Sequence, residues 1–102
     1  MSKFPKSGQK EIVGQIITYE LADSIDNGDS LGECLADKNT IRIDKKLKGQ
    51  IRNSTVLHEE LEMINAKLDI GLEHRQINAL EAGLMSIKEV PSKQGVICRV
   101  VR

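Results

Sequence analysis

The chain has 102 residues, 39% of them hydrophobic, so we expect one small domain with a single modest core. Fifteen basic and fifteen acidic side chains cancel, which argues against a nucleic-acid partner, and an aromatic content of 2% argues against base recognition by stacking. No apolar run approaches the roughly 20 residues that span a bilayer, and the first ten residues lack the apolar region of a signal peptide, so we expect a cytoplasmic protein with no membrane partner.

The sequence of the N-terminal part predicts a flexible tail followed by one strand. Residues 1–10 are mostly polar and are predicted to be a flexible tail, which leaves 11–102 as the single domain. Residues 11–21 are rich in β-branched side chains, which favours one strand in which Gly14 makes a bulge or bend. Short polar side chains fill residues 23–32, a composition typical of an exposed connection.

Two short strands are predicted next, at 32–36 and 40–44. In the second of them Ile41 and Ile43 alternate with polar residues, a pattern that predicts one buried and one exposed face. The polar residues between the two strands favour a turn. Together these features predict a half-buried antiparallel hairpin.

The first helix is predicted from Val56 to about Leu68, after three candidate N-caps at residues 53–55. Its apolar stripe consists of Leu57, Leu61, Ile64 and Leu68. The basic stretch 45–52 before it is interpreted as a solvated linker, with a DNA-binding patch as the alternative that zero net charge disfavours.

A second helix is predicted to follow after a short turn that contains Gly71. Its apolar face consists of Ile77, Leu80, Leu84 and Ile87. His74 lies three residues before the first of these, so we expect its side chain to point inward. Val90-Pro91 is expected to end the helix, because proline cannot continue the hydrogen-bond ladder.

The C-terminal residues 95–101 are compatible with either a closing strand or an extended tail. Cys34 and Cys98 are predicted to be reduced thiols in strands and not a disulfide, in keeping with the expected compartment.

The most informative stretch is His58-Glu59-Glu60-Leu61-Glu62, which matches a zinc-binding HExxH helix except that glutamate replaces the second histidine. In that motif two side chains one helical turn apart bind the metal, and the first glutamate activates a water molecule. A carboxylate at the i+4 position still points to the face of the first histidine. We therefore predict His58 and Glu62 as metal ligands and Glu59 as the catalytic general base.

A third ligand would come from the second helix. A short turn between antiparallel helices permits His74 to approach His58 and Glu62, and two imidazoles with one carboxylate are the ligand set of a catalytic zinc site. Glu81 is an alternative third ligand. The competing interpretation makes His58 and Glu62 a surface pair and His74 an ordinary polar residue at a helix start. Glu60 is itself predicted to be a solvated carboxylate of the helix start, and the competing interpretation of Glu81 is an exposed helix carboxylate.

Residues 54–64, followed by 72–84, resemble small phage and prophage proteins of the zincin class, which look like minimal HExxH metallopeptidases. The pairs Gly71-Leu72 and Gly83-Leu84 match the frame of that family. The upstream hairpin extends the resemblance over most of residues 11–84.

The resemblance implies that His58 is the first zinc ligand and Glu59 the general base. Glu62 stands where the family has its second histidine, and His74 stands where the second helix usually carries an acidic residue. The reciprocal exchange favours a retained metal site over a decayed one.

The predicted fold is α+β, a minimal zincin with a small antiparallel sheet of about three strands packed on two helices. The predicted function is a zinc metallopeptidase that acts on a protein or peptide of unknown identity. The alternative is a catalytically inactive zincin-fold protein that serves as a protein-interaction module.

Overall fold

The computed structural model describes residues 2–90 and has an α+β fold of four short strands and two helices. In chain order the elements are β1 Gln9–Ile12, β2 Gln15–Ala22, β3 Gly32–Leu35, β4 Thr40–Asp44, α1 Gly49–Leu68 and α2 His74–Met85. The predicted fold class is confirmed, with four strands where about three were expected. Within residues 2–90 no helix is both long enough and apolar enough to cross a membrane. The predicted strand at 95–101 and Cys98 lie outside the described residues.

The sheet is mixed, with strand order β1-β2-β4-β3. β1 pairs antiparallel with β2 and β3 pairs antiparallel with β4, but β2 and β4 run parallel. The expectation of an antiparallel sheet was therefore wrong for its central pair, because local alternation does not report which distant strand a segment will join. The predicted hairpin of β3 and β4 is confirmed, and a short 3-10 turn at Ala36–Lys38 connects the two strands.

The segment predicted as a single strand is a hairpin. Val13 and Gly14 have φ angles of 51° and 75°, so both occupy the left-handed region that a tight two-residue hairpin turn requires. Ile12 pairs with Gln15 across this turn. The chain thus reverses where only a bend at Gly14 was expected, and valine at a positive φ is uncommon enough to hide the turn in the sequence. Strand structure begins at Gln9, inside the predicted tail.

The residues ahead of β1 also contact the sheet. The Phe4 ring meets the Tyr19 ring edge to face with centroids 5.9 Å apart, and the Arg52 guanidinium lies 4.9 Å from the centroid of the Phe4 ring. The backbone N–H of Tyr19 donates to the carbonyl of Gly8 at 2.8 Å. These contacts join the N-terminal segment to both β2 and α1.

Helix α1 begins at Gly49, several residues before the predicted N-caps at 53–55. The Thr55 hydroxyl donates to the carbonyl of Ile51 at 2.8 Å, a bond that satisfies the side chain inside the helix and removes it as a cap. The second half of the basic stretch 45–52 is therefore the first turn of α1 and not a linker.

The core lies between one face of the sheet and α1. Its buried members are Ile17, Tyr19, Ile41, Ile43, Val56 and Met63. The predicted alternation in β4 is confirmed, since Ile41 and Ile43 are fully buried. The predicted stripe of α1 is confirmed for Leu57, which is buried, and was wrong for Leu68, which is exposed. Val56 and Met63, outside that stripe, are fully buried.

Helix α2 packs on α1 mainly through Ile77, which is its one buried residue in the described chain. Leu80 and Ile87, which were expected on its apolar face, are exposed. The helix ends at Met85, before the predicted stop at Val90-Pro91, and the Ser86 hydroxyl donates to a carbonyl of its last turn at 2.6 Å.

Candidate metal and catalytic site

A cleft of about 780 Å³ lies between β3, α1 and the beginning of α2. His58, Glu59 and Glu62 line it from α1, and His74 and Glu81 line it from α2. Positions four residues apart share one face of a helix, which explains why His58 and Glu62 meet in the same cleft. All the residues predicted as ligands or as the general base thus lie together.

Glu62 is the centre of the candidate ligand group. Its Oε2 atom lies 3.5 Å from Nε2 of His58 and 3.5 Å from Nδ1 of His74. One ligand atom from each of the three residues lies within 4.8 Å of the others. The arrangement therefore brings two imidazole nitrogens and one carboxylate oxygen to one point from two different helices.

The two separations that involve Glu62 fit a zinc ion. Nitrogen and oxygen ligands bind zinc at about 2.0–2.1 Å, so neighbouring ligands of a tetrahedral ion are about 3.4 Å apart. The two contacts of Glu62 are close to that spacing. The open side of the cleft leaves space for a fourth ligand, as catalytic zinc sites require.

His74 is held over the cleft by the turn between the helices. The Asn65 side chain accepts a hydrogen bond from the backbone N–H of Leu72 at 2.9 Å and donates to its carbonyl at 3.3 Å. These two bonds fix the chain just before α2 begins. The His74 side chain is 71% exposed, so the expectation that it points into the core was wrong. It caps the cleft from the solvent side, with its ring 5.1 Å from that of His58.

Glu81 contacts a different atom of His58. Its Oε1 lies 2.8 Å from Nδ1 of His58, and its Oε2 accepts a hydrogen bond from the Ser54 hydroxyl. Both oxygens of this carboxylate are therefore engaged away from Glu62. This geometry fits a residue that supports His58 better than it fits a third metal ligand. It also fits such a residue better than it fits a solvated carboxylate.

Glu59 is buried beside these ligands, with 7% of its surface exposed. Burial raises the pKa of its carboxyl group to about 7; the nearby His58 lowers it, and the carboxylates of Glu62, Glu33 and Glu81 raise it. Within residues 2–90 no hydrogen bond to the Glu59 carboxylate lowers this pKa. An acidic group with a pKa near neutrality, in a cleft, is suited to transfer protons.

Gly32 of β3 forms the surface on which Glu59 rests. A methyl group at position 32 would lie 3.0 Å from both Cγ and Oε2 of Glu59, and 3.0 Å from Cγ2 of Thr55. Only glycine lets the strand approach α1 this closely without displacing one of these side chains.

Glu60 faces the opposite way, toward β1 and β2. The Tyr19 hydroxyl donates to its Oε2 at 2.5 Å, and Nζ of Lys10 lies 2.7 Å from the same oxygen. Burial and this bond to Glu60 raise the pKa of the Tyr19 hydroxyl. The interpretation of Glu60 as a solvated carboxylate was wrong, since it is 8% exposed and paired.

The edge strand β3 forms one wall of the cleft. Leu31 accepts a backbone hydrogen bond from Asp44, so by alternation the backbone groups of Gly32 and Cys34 point away from β4, toward the edge that no other strand within residues 2–90 covers. Cys34 is a free thiol, as predicted, and burial raises its pKa to about 12. It is therefore a weak nucleophile.

Sequence reasoning did not find three residues that support the site. Ser54 was interpreted as a cap, although its spacing of four from His58 places both on one face of α1. Asn65 carries no motif that marks its bonds to Leu72. The approach of Gly32 to α1 depends on tertiary packing and has no local signal.

Comparison with protein-family models, with curated proteins and with solved structures finds no match to this chain. The zincin resemblance therefore stays a prediction, and any functional assignment has to be argued from the cleft itself.

Proposed function

We propose that this protein is a small zinc-dependent peptidase in which His58, Glu62 and His74 hold the metal and Glu59 is the general base. The observation that carries this proposal is the single Glu62 oxygen 3.5 Å from a nitrogen of each histidine. Two imidazoles, one carboxylate and an open fourth position are typical of catalytic zinc sites, whereas structural sites are closed by four protein ligands.

A zinc ion at this point would polarise a peptide carbonyl and make water more acidic. Glu59 would transfer the proton from water to the leaving group. Its carboxylate accepts a proton from water as the water oxygen bonds to the carbonyl carbon, and returns that proton to the amide nitrogen as the C–N bond breaks. The pKa of about 7 supports this assignment, because such a group takes up and releases a proton with similar ease near neutrality.

The outer edge of β3, which no other strand in the described part of the chain covers, supports a peptide as the substrate. An extended chain can pair with the outward backbone groups of Gly32 and Cys34, and main-chain hydrogen bonds of this kind give affinity without demanding a particular sequence. Such a segment would lie along the cleft that contains Glu59 and the ligand group.

The proposal is tested with protein purified without chelators or a polyhistidine tag. We expect about one zinc per chain by elemental analysis, and cleavage of a random peptide library read by mass spectrometry. Glu59→Gln should keep the zinc and lower the cleavage rate by about 10²–10⁴-fold. Glu60→Gln is the matched control and should keep both properties. Full activity in Glu59→Gln, or no zinc uptake by the wild type when zinc is supplied, would overturn the assignment.

A second candidate function is zinc-dependent binding of a protein partner without catalysis. The observation that favours it is the negative charge beside the ligand group, where Glu33, Glu59 and Glu81 line the same cleft. Added negative charge near a metal ion lowers its capacity to acidify water. Stoichiometric zinc with no cleavage of any library peptide, in the wild type and in Glu59→Gln alike, would favour this function.

A further inference from the structure

Ser54, His58 and Glu81 form a hydrogen-bonded chain behind the candidate ligand group. Ser54 and His58 are one turn apart on α1, and Glu81 reaches both from α2. One Glu81 oxygen meets Nδ1 of His58 at 2.8 Å, and the other accepts from the Ser54 hydroxyl. The two ring nitrogens of His58 thus face two different carboxylates, because Nε2 is the atom near Glu62.

We infer that Glu81, fixed by Ser54, is a positioning residue that selects the tautomer and the orientation of His58. The inference rests on the metal site proposed above. An ionised carboxylate only accepts hydrogen bonds, and Glu81 lies at hydrogen-bond distance from Nδ1, 2.8 Å, whereas Glu62 lies 3.5 Å from Nε2. In the neutral ring the proton is therefore held on Nδ1. The lone pair is then on Nε2, which is directed at Glu62 and is the atom that a metal would use.

The hydrogen bond from Ser54 to Glu81 strengthens this choice of the His58 tautomer. A glutamate side chain on its own has several rotamers, and holding the second oxygen limits Glu81 to the one that meets His58. The three residues also join α1 to α2 beside the cleft. The position of the ring is therefore set by contacts from both helices.

Two rival roles for Glu81 give different results. If Glu81 were itself a metal ligand, its loss would change the coordination of the metal, and the loss of His74 would not. If Glu81 only held the helices together, its loss would lower the stability and leave the tautomer and the zinc affinity unchanged. The variants Glu81→Gln, Ser54→Ala and His74→Ala separate these cases. Glu89→Gln is the control, since it removes an exposed carboxylate outside the cleft.

The first measurement is the ¹⁵N chemical shifts of His58 in metal-free protein with a neutral ring. We expect the Nδ1–H form to dominate in the wild type and in Glu89→Gln. A glutamine amide can either donate or accept, so Glu81→Gln should shift the ring toward a mixture, and Ser54→Ala should do so to a smaller extent. An unchanged tautomer ratio in both variants would overturn the inference.

The second measurement is zinc affinity by competition with a chromophoric chelator, with the spectrum of the cobalt-substituted protein as the probe of coordination. Glu81→Gln should weaken zinc binding about 10–100-fold and keep one metal per chain with an unaltered cobalt spectrum. His74→Ala should alter that spectrum. An altered spectrum in Glu81→Gln with an unaltered one in His74→Ala would make Glu81 the ligand and overturn the inference.

The two measurements also separate the inference from the proposed function. A tautomer preference that disappears in Glu81→Gln, in a protein that takes up no zinc, would uphold the positioning role and overturn the metal site. Zinc uptake with an affinity that Glu81→Gln leaves unchanged would overturn the positioning role and uphold the metal site.

Discussion

Glu59 and Glu60 are neighbours on α1 and are almost equally buried, at 7% and 8% exposure, yet their surroundings differ completely. Glu60 faces β1 and β2, where Tyr19 and Lys10 both contact one of its oxygens. Glu59 faces the cleft, where burial raises the pKa of its carboxyl group to about 7. The comparison teaches that burial of a carboxylate does not reveal its role, whereas the presence or lack of partners does.

The same contrast extends to the two sides of α1. One side packs Val56 and Met63 on the sheet and includes Glu60 in a satisfied polar contact. The other side gathers His58, Glu59 and Glu62 next to further carboxylates, an arrangement that costs stability and is expected where chemistry is carried out. If the two sides of α1 are independent, a substitution on one side should leave the properties of the other side unchanged.

The largest effect is expected for Glu60→Ala. It leaves Lys10 and the Tyr19 hydroxyl without their shared acceptor, and removal of one member of a buried, charged contact costs about 3 kcal/mol. Urea unfolding should show this loss in the free energy of unfolding, while the zinc content of the folded protein stays the same. A loss below about 1 kcal/mol would mean that Glu60 contributes no more to the stability of the fold than Glu59 does.

The next effect is a gain in stability for Glu59→Gln that depends on pH. The pKa of Glu59 is about 7 when folded against 4.5 as its ordinary value, so the folded state holds its proton more tightly than the unfolded state. Stability from this group is therefore complete below pH 4.5 and is lost as the pH rises toward 7. A pKa difference of one unit is worth about 1.4 kcal/mol, so the difference between 4.5 and about 7 is worth at most about 3.5 kcal/mol. Relaxation and water penetration around the charge reduce the expected penalty to about 2 kcal/mol.

Urea unfolding of chelator-treated protein checks this prediction. Glu59→Gln should be more stable than the wild type by about 2 kcal/mol above pH 7, and equal to it below pH 4.5. Glu60→Gln should bring no gain at either pH, because the Glu60 carboxylate already accepts hydrogen bonds from Lys10 and Tyr19. If the free energy of unfolding of Glu59→Gln varied with pH as that of the wild type does, the ionised Glu59 would have stabilising contacts, and its contrast with Glu60 would be wrong.

The smallest effect is expected for Tyr19→Phe. This change removes one donor to Glu60 and keeps Nζ of Lys10 at 2.7 Å, so the loss should be about 1 kcal/mol. In a double-mutant cycle with Glu60→Ala, the two losses should be less than additive, because Tyr19 and Glu60 share one bond. Simple additivity would indicate that the hydroxyl stabilises the core through some other contact.

The parts of the fold that were predicted correctly are those with a local period. The alternation of Ile41 and Ile43 identified β4, and the four-residue spacing of His58 and Glu62 placed both on one face of α1. The parallel pairing of β2 with β4 was missed because it joins segments about 22 residues apart by a connection with no period. The turn at Val13-Gly14 was missed because valine seldom adopts a positive φ.

For the candidate site, the motif and the short turn between the helices predicted that His58, Glu59, Glu62 and His74 lie together, but not what surrounds them. The burial of Glu60 depends on Tyr19 and Lys10, which are 41 and 50 residues away in sequence. The spacing of Glu60 from Val56 and Met63, at four and three residues, was a usable signal of its burial, although charge pointed the other way. The contact of Glu81 with His58 crosses two helices and depends on their packing angle.

The missing side chain of Gly32 bears on how this protein could change over evolution. A single methyl group there would press on Glu59 and Thr55, and its three nearest atoms belong to these two residues and to none of the candidate ligands. Under the proposed function, one nucleotide substitution that replaces this glycine with alanine would disturb the general base and favour binding without catalysis. In a lineage that descended from this chain, the identity of residue 32 would be the simplest marker of whether catalysis had been kept.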